Sequence, residues 1–157
     1  MSLFDASDVL RFAMQMEENG GRFYREAADR SKKSEVKKLF NFLAAEEAKH
    51  KKTFEDLLSK EILIEPPEDY PGQYLSFLQN YIDGKIFAPP DEKSAKTESG
   101  SVANSLDYAI RREMESIHYY QELKAFLHVD DHSTLDKIIN EERKHFMQLT
   151  ETKNNLT

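Results

Sequence analysis

Glu47 and His50 stand three residues apart, and so do Glu142 and His145. On an α-helix this spacing puts both side chains on one face, about 4.5 Å apart along the axis, so a carboxylate and an imidazole can reach one point. The surrounding stretches nearly repeat, "EEAKH" at Glu46–His50 and "EERKH" at Glu141–His145. Two more carboxylates, Glu17 and Glu113, fall on the apolar stripes of the segments that precede each pair. Together these residues offer six oxygen and nitrogen ligands, enough for two metal ions. Such a set suits iron or manganese and also accepts zinc, with nothing soft to select copper. Charge argues the same way. Four carboxylates turned into a helical core repel one another and lose solvation unless cations join them or some protonate.

The elements that must position these groups are four amphipathic helices, predicted over residues 7–30, 34–59, 102–127 and 133–153. The first carries Leu10, Ala13, Met14, Glu17, Gly21 and Tyr24 at three- and four-residue spacing;. The second carries Val36, Leu39, Phe40, Leu43, Glu47, His50, Phe54 and Leu57 or Leu58. The third carries Leu106, Ala109, Ile110, Glu113, Ile117 and Tyr120, and the fourth Leu135, Ile138, Ile139, Glu142, His145 and Leu149. Ser7 or Asp8 is the expected cap of the first helix, and Ser133, with Asp136 three residues on, that of the fourth;.

Short links around Ser31–Lys33 and at "HVDDH" make helix pairs antiparallel neighbours;. The link over residues 60–101 is too long for a turn;. Its middle, Tyr74 to Phe87, has helical spacing, and its tail from Pro89 to Ser101 is polar. A chain that must cross the full length of a bundle needs such a link. The prediction is therefore an all-α four-helix bundle of two hairpins, with a short helix in the crossover.

The hairpins repeat one another. A shift of 96 residues carries Leu10 onto Leu106, Ala13 onto Ala109, Glu17 onto Glu113, Tyr24 onto Tyr120 and Glu26 onto Glu122. A shift of 95 superposes the two Glu-x-x-His pairs. Each hairpin thus pairs a lone Glu on its first helix with Glu-x-x-His on its second.

Composition bounds the rest. The 157 residues, 39% hydrophobic and 32% charged, fit a single domain over 1–157 with a real core;. A net charge of −7 argues against a nucleic-acid partner;. The chain contains no cysteine, so it has no disulfide, thiolate metal site or thiol nucleophile;. No segment reads as a signal peptide or approaches the roughly 18 apolar residues of a membrane span, so no membrane association and a cytoplasmic location are expected.

The stretches "AMQMEENGGRFYREAA", "AAEEAKHKKTFEDL", "AIRREMESIHYYQEL" and "NEERKHFMQL" resemble the four helices of ferritin-like di-iron carboxylate proteins, most nearly the rubrerythrin branch;. The resemblance implies a ferritin-like domain holding two iron ions on Glu17, Glu47, His50, Glu113, Glu142 and His145. It also implies tyrosines seven residues after the helix-one and helix-three ligands. Tyr24 and Tyr120 match, each positioned to hydrogen-bond a ligand carboxylate across the site. The implied activity is reduction of hydrogen peroxide or dioxygen, with a homodimer as the expected assembly. Ferrous oxidation for iron handling and a non-enzymatic metal-binding module are the alternatives.

Two departures stand out. Rubrerythrins often add a cysteine-ligated rubredoxin domain, so electrons would here come from an external donor such as a rubredoxin-like protein. The family's additional glutamate, three residues after the helix-three ligand, is replaced by Ser116, and Gly20 stands at the matching place on helix one. Small residues there would leave room beside the metals for the oxidant. Glu18, Glu46 and Glu141 are expected to be solvated neighbours, His118, His128 and His132 to be surface or loop histidines, and Met14 and Met16 to serve packing.

Overall fold

A computed structural model describes residues 6–60, 76, 77, 80 and 102–156. Four long helices dominate it: α1 (Ala6–Arg30), α2 (Ser34–Ser59), α3 (Val102–Leu123) and α4 (His132–Asn155). Two 3-10 turns, Lys124–Phe126 and Val129–Asp131, join α3 to α4. No described helix is long and apolar enough to cross a membrane. Within the crossover Ser76, Phe77 and Asn80 are helical. The rest of the expected crossover helix and its polar tail lie outside the described residues.

Each hairpin closes along its predicted stripe. α1 packs along α2 and α3 along α4, and the hairpins meet through α1 on α3 and α2 on α4. The buried residues of α4 are Leu135, Ile138, Ile139, Glu142, His145 and Leu149, the whole of its expected inner face. The same holds for α2, apart from half-buried Leu39 and Leu58.

Three boundaries differ from expectation. α1 already includes Ala6, which puts Ser7 and Asp8 inside its first turn, where Ser7 accepts a bond from Arg11. α3 stops at Leu123 rather than continuing to 127, because the chain tightens into a 3-10 turn that buries Phe126. α4 begins at His132, so Ser133 is already helical and caps nothing. Asp136 is drawn instead to Lys124, 2.7 Å away.

The core is divided. One apolar cluster gathers Leu10, Ala13, Phe54, Tyr120, Phe126 and Leu135, and a second gathers Tyr24, Phe40, Leu43, Leu106, Ala109 and Leu149. Between them on every helix lies a buried polar belt: Glu17, Glu47, His50, Glu113, Ser116, Glu142 and His145. Charged groups are almost never buried this completely without partners, so the belt marks the site.

A candidate metal centre in the polar belt

All six predicted ligands converge on this belt, none more than 6% exposed. The helices deliver them because Glu17 and Glu113 sit mid-stripe on α1 and α3, and each Glu-x-x-His sits near the middle of α2 and α4. Glu142 is the pivot. Its Oε1 lies 2.7 Å from His50 Nδ1 and its Oε2 lies 3.9 Å from His145 Nδ1. Glu17 Oε1 stands 3.5 Å from His50 Nδ1, and Glu113 Oε2 stands 3.9 Å from His145 Nδ1. Three groups able to hold a cation result: the buried Glu17–His50–Glu142 and Glu113–Glu142–His145, which share one carboxylate, and the half-buried Glu46–His50–Glu141 at the outer edge of His50. The two imidazole rings stack across the site with centroids 5.9 Å apart.

The donor atoms fit metal ions better than they fit one another. Glu17 Oε2, Glu113 Oε2, Glu142 Oε2 and His145 Nδ1 are buried without a hydrogen-bond partner, and His50 Nδ1 meets Glu142 Oε1 at 2.7 Å without hydrogen-bond geometry. Orphaned buried polar atoms cost about 1–3 kcal/mol each, and more when charged. A separation of 3.9 Å is too long for a hydrogen bond. Two ligands each about 2.1 Å from one cation are, by simple geometry, roughly 3.0–3.4 Å apart. The observed spacings need only small closure around a metal.

Part of the carboxylate charge is balanced by protons. Burial pushes Glu47 well above the usual carboxylate range, and the neighbouring Glu17 charge pushes it further;. Burial would lower the pKa of His50, but the carboxylates of Glu142 and Glu17 outweigh it and push it up to about 11. Burial would raise Glu142, but the imidazoles of His145 and His50 hold it below its ordinary value.

The tyrosines cross the site as expected. Tyr24 donates to Glu113 Oε1 at 2.6 Å, and Tyr120 donates to Glu17 Oε1. Both phenols are fully buried, and burial raises both pKa values, so they stay protonated donors. Each hairpin's tyrosine therefore fixes the other hairpin's glutamate.

Some expectations need correction or extension. Glu47 is a member of neither buried group, although its repeat mate Glu142 belongs to both, and its carboxyl faces that of Glu17. Glu141 is no solvated bystander: its Oε2 lies 2.8 Å from His50 Nε2, the outward nitrogen of that ring. Its repeat mate Glu46 pairs with Lys49 instead, and the edge of Phe42 meets the His145 ring. A cleft lined by Glu46, Lys49, Thr134, Lys137 and Glu141 leads to the His50 edge.

The space expected beside Gly20 is filled. A Cβ there would stand 2.7 Å and 2.9 Å from the two Arg112 Nη atoms and 2.9 Å from Glu47 Cδ. Arg112 Nη2 donates to Met16 O at 2.8 Å, bringing a guanidinium into the wall of the site. Sequence reasoning missed Arg112, although the repeat carries a signal. The 96-residue shift pairs Arg112 with Met16 and Gly20 with Ser116, so both mismatches fall where the two halves of the repeat meet.

Other residues behave as read. Glu18 is exposed beside Lys51, and Met16 is core. His128 and His132 bond to backbone groups at the α3–α4 turn.

The comparisons with known proteins agree with this geometry. A search of curated proteins found no match. Among solved structures, the chain matches a Thermotoga maritima protein described as ferritin-like and diiron-carboxylate, with a TM-score of 0.69 and 27% identity, over 100% of this chain and 99% of that one. The sequence model of the rubrerythrin family matches residues 8–153, nearly the whole bundle. The chain therefore belongs to the rubrerythrin family.

Proposed function

We propose that this chain is a di-iron redox protein in which Glu17, Glu47, His50, Glu113, Glu142 and His145 hold two iron ions. The carrying observation is that Glu142 offers one oxygen to each of two buried His/Glu groups. Glu142 would thus help to hold both ions of the pair. Such a pair, when reduced, supplies the two electrons that convert hydrogen peroxide and two protons to two waters. Manganese and zinc fit the same donors.

The chain's own residues orient and insulate this chemistry. A metal held through His50 Nδ1 would leave the ring proton on Nε2 for Glu141 to accept, which would fix the tautomer and strengthen the ligand;. Tyr24 and Tyr120 hold Glu113 and Glu17 in place from across the bundle. The two apolar clusters exclude bulk water from both ends of the belt. These 157 residues contain no cysteine to ligate an electron relay, and the proposed source of electrons is an external donor such as a rubredoxin-like protein. A homodimer is the proposed assembly.

Ferrous oxidation for iron handling is the second reading. It is favoured by buried Ser116, which stands where rubrerythrins carry their additional glutamate. Anaerobic loading with ferrous ion, followed by parallel stopped-flow mixing with peroxide and dioxygen, separates the two. The proposal expects two irons per chain and faster oxidation by peroxide. Faster oxidation by dioxygen would move the assignment to the second reading, and sustained peroxide turnover without any added donor would remove the external relay.

A further inference from the structure

We infer that Glu46, His50 Nε2 and Glu141 form an outer site for a divalent cation, at the foot of the cleft between α2 and α4, which takes up ions bound for the buried pair. The outer site stands on its own geometry; its role in uptake rests on the di-metal reading above.

A buried imidazole sets this group apart from ordinary surface acid. His50 is 2% exposed, yet its Nε2 faces out of the belt, 2.8 Å from Glu141 Oε2. Glu46, one turn before His50 on α2, completes a set of one nitrogen and two oxygens whose atoms all lie within 4.8 Å of one another. A cleft of about 470 Å³ opens onto them, with Thr53 and Thr134 in its walls. That is many times the ~30 Å³ share of one water, so a cation can arrive hydrated and exchange water for ligands. The mixed oxygen and nitrogen donors suit the same ions as the buried groups. Glu46 is held by Lys49 at 3.0 Å, but that lysine is 72% exposed, and so wet a pair yields readily to a doubly charged ion;.

The other half of the repeat lacks the opening. There the edge of Phe42 meets the His145 ring at right angles, with centroids 5.9 Å apart. The 95-residue shift puts Lys137 in the place of Phe42, and Lys137 lines the cleft at His50. Among the described residues no such group forms at the outer edge of His145, and Glu46 and Glu141 both serve His50. One imidazole edge is thus open to solvent and the other is shielded by an aromatic ring.

His50 also faces a carboxylate at each nitrogen, Glu141 Oε2 at 2.8 Å from Nε2 and Glu142 Oε1 at 2.7 Å from Nδ1. A cation on Nε2 leaves the ring proton on Nδ1, towards Glu142. A cation on Nδ1 leaves it on Nε2, towards Glu141. The neutral ring takes one ion at a time, so the outer site empties as the inner position fills.

The test titrates Co²⁺, whose d–d spectrum reports its ligands, into the metal-free full chain. Glu142→Gln removes the carboxylate that both buried groups share and should still bind one ion, at the outer group. Adding Glu46→Gln should weaken that ion by about tenfold or more. In the otherwise native chain, Glu46→Gln should end at two ions but fill more slowly. At subsaturating Co²⁺ the slowing should match the loss of outer affinity, because uptake then scales with occupancy of the outer site. Glu18→Gln, which removes an exposed carboxylate paired with Lys51, should fill at the wild-type rate. No ion on Glu142→Gln that is folded by circular dichroism, or an ion whose affinity ignores Glu46→Gln, would overturn the site. Wild-type filling by Glu46→Gln, or equal slowing by Glu18→Gln, would overturn the uptake role; this comparison decides the matter if Glu142→Gln does not fold. Fewer than two ions on the wild-type chain would overturn the di-metal reading and the uptake role together, with the outer site judged by the Glu142→Gln titration.

Discussion

Three fully buried tyrosines give an internal measure of what the site's carboxylates need. Tyr120 donates to Glu17 and Tyr24 to Glu113, whereas Tyr119 donates to the backbone carbonyl of Val9 at 2.7 Å. Phenylalanine at each position keeps the ring and removes only the hydroxyl. Val9 O lies inside α1 and keeps its helical amide partner, so Tyr119→Phe should cost about 1 kcal/mol, the worth of a neutral bond;. Glu17 is 1% exposed and its Oε2 is already without a hydrogen-bond donor, so losing the phenol strips the other oxygen as well. That loss should cost roughly 1.5–3 kcal/mol, the range for a hydrogen bond to a charged group. At about 2–4 °C per kcal/mol for a chain of this size, Tyr120→Phe should lower the Tm of the metal-free protein by roughly 3–12 °C. Tyr119→Phe should lower it by about 2–4 °C. Tyr24→Phe should follow Tyr120→Phe. Scanning calorimetry in chelator at neutral pH measures all three. Loading with metal should shrink the Tyr120→Phe deficit, because a cation then meets the Glu17 charge. Equal losses for Tyr119→Phe and Tyr120→Phe would refute the reasoning and reduce the phenols to packing groups.

Glu142→Gln should abolish binding of both buried ions, because both buried groups use that carboxylate, whereas Glu46→Gln, which touches only the half-buried outer group, should leave two ions bound by metal analysis. Chelation should lower the Tm of the loaded protein, since a ligand that binds only the folded state stabilises it by mass action; superposable melts would count against a buried centre. The metal-free protein should lose stability as pH rises above neutrality. The folded His50 pKa of about 11 lies above its ordinary 6.5, so its stabilisation is complete below 6.5 and disappears as pH climbs through 11;. His50→Gln should flatten that part of the Tm–pH profile, and an unchanged slope would show that His50 does not carry the proton.

Sequence alone determined the features that depend on the pitch of a helix. The inner stripes, the depth of each Glu-x-x-His pair, and the placement of Glu17 and Glu113 between two apolar clusters follow from a period of 3.6 residues;. Buried charge at those positions and the doubled hairpin then point to cations. Seven-residue spacing likewise put each tyrosine on its own glutamate's face. What the pitch leaves open is how side chains from different helices share the space where those faces meet. Tertiary packing decided that Glu142 serves both buried groups while Glu47 belongs to neither, and that Glu141 meets the outer nitrogen of His50. It also decided that Arg112 belongs to the site. One residue before Glu113, it is turned about 100° around the helix, so periodicity places it on the flank;. Its long side chain swings its charge back inward because Gly20 on the facing helix presents bare backbone there. A long flexible side chain is located by the cavity that receives it, and that cavity exists only once α1 and α3 have packed.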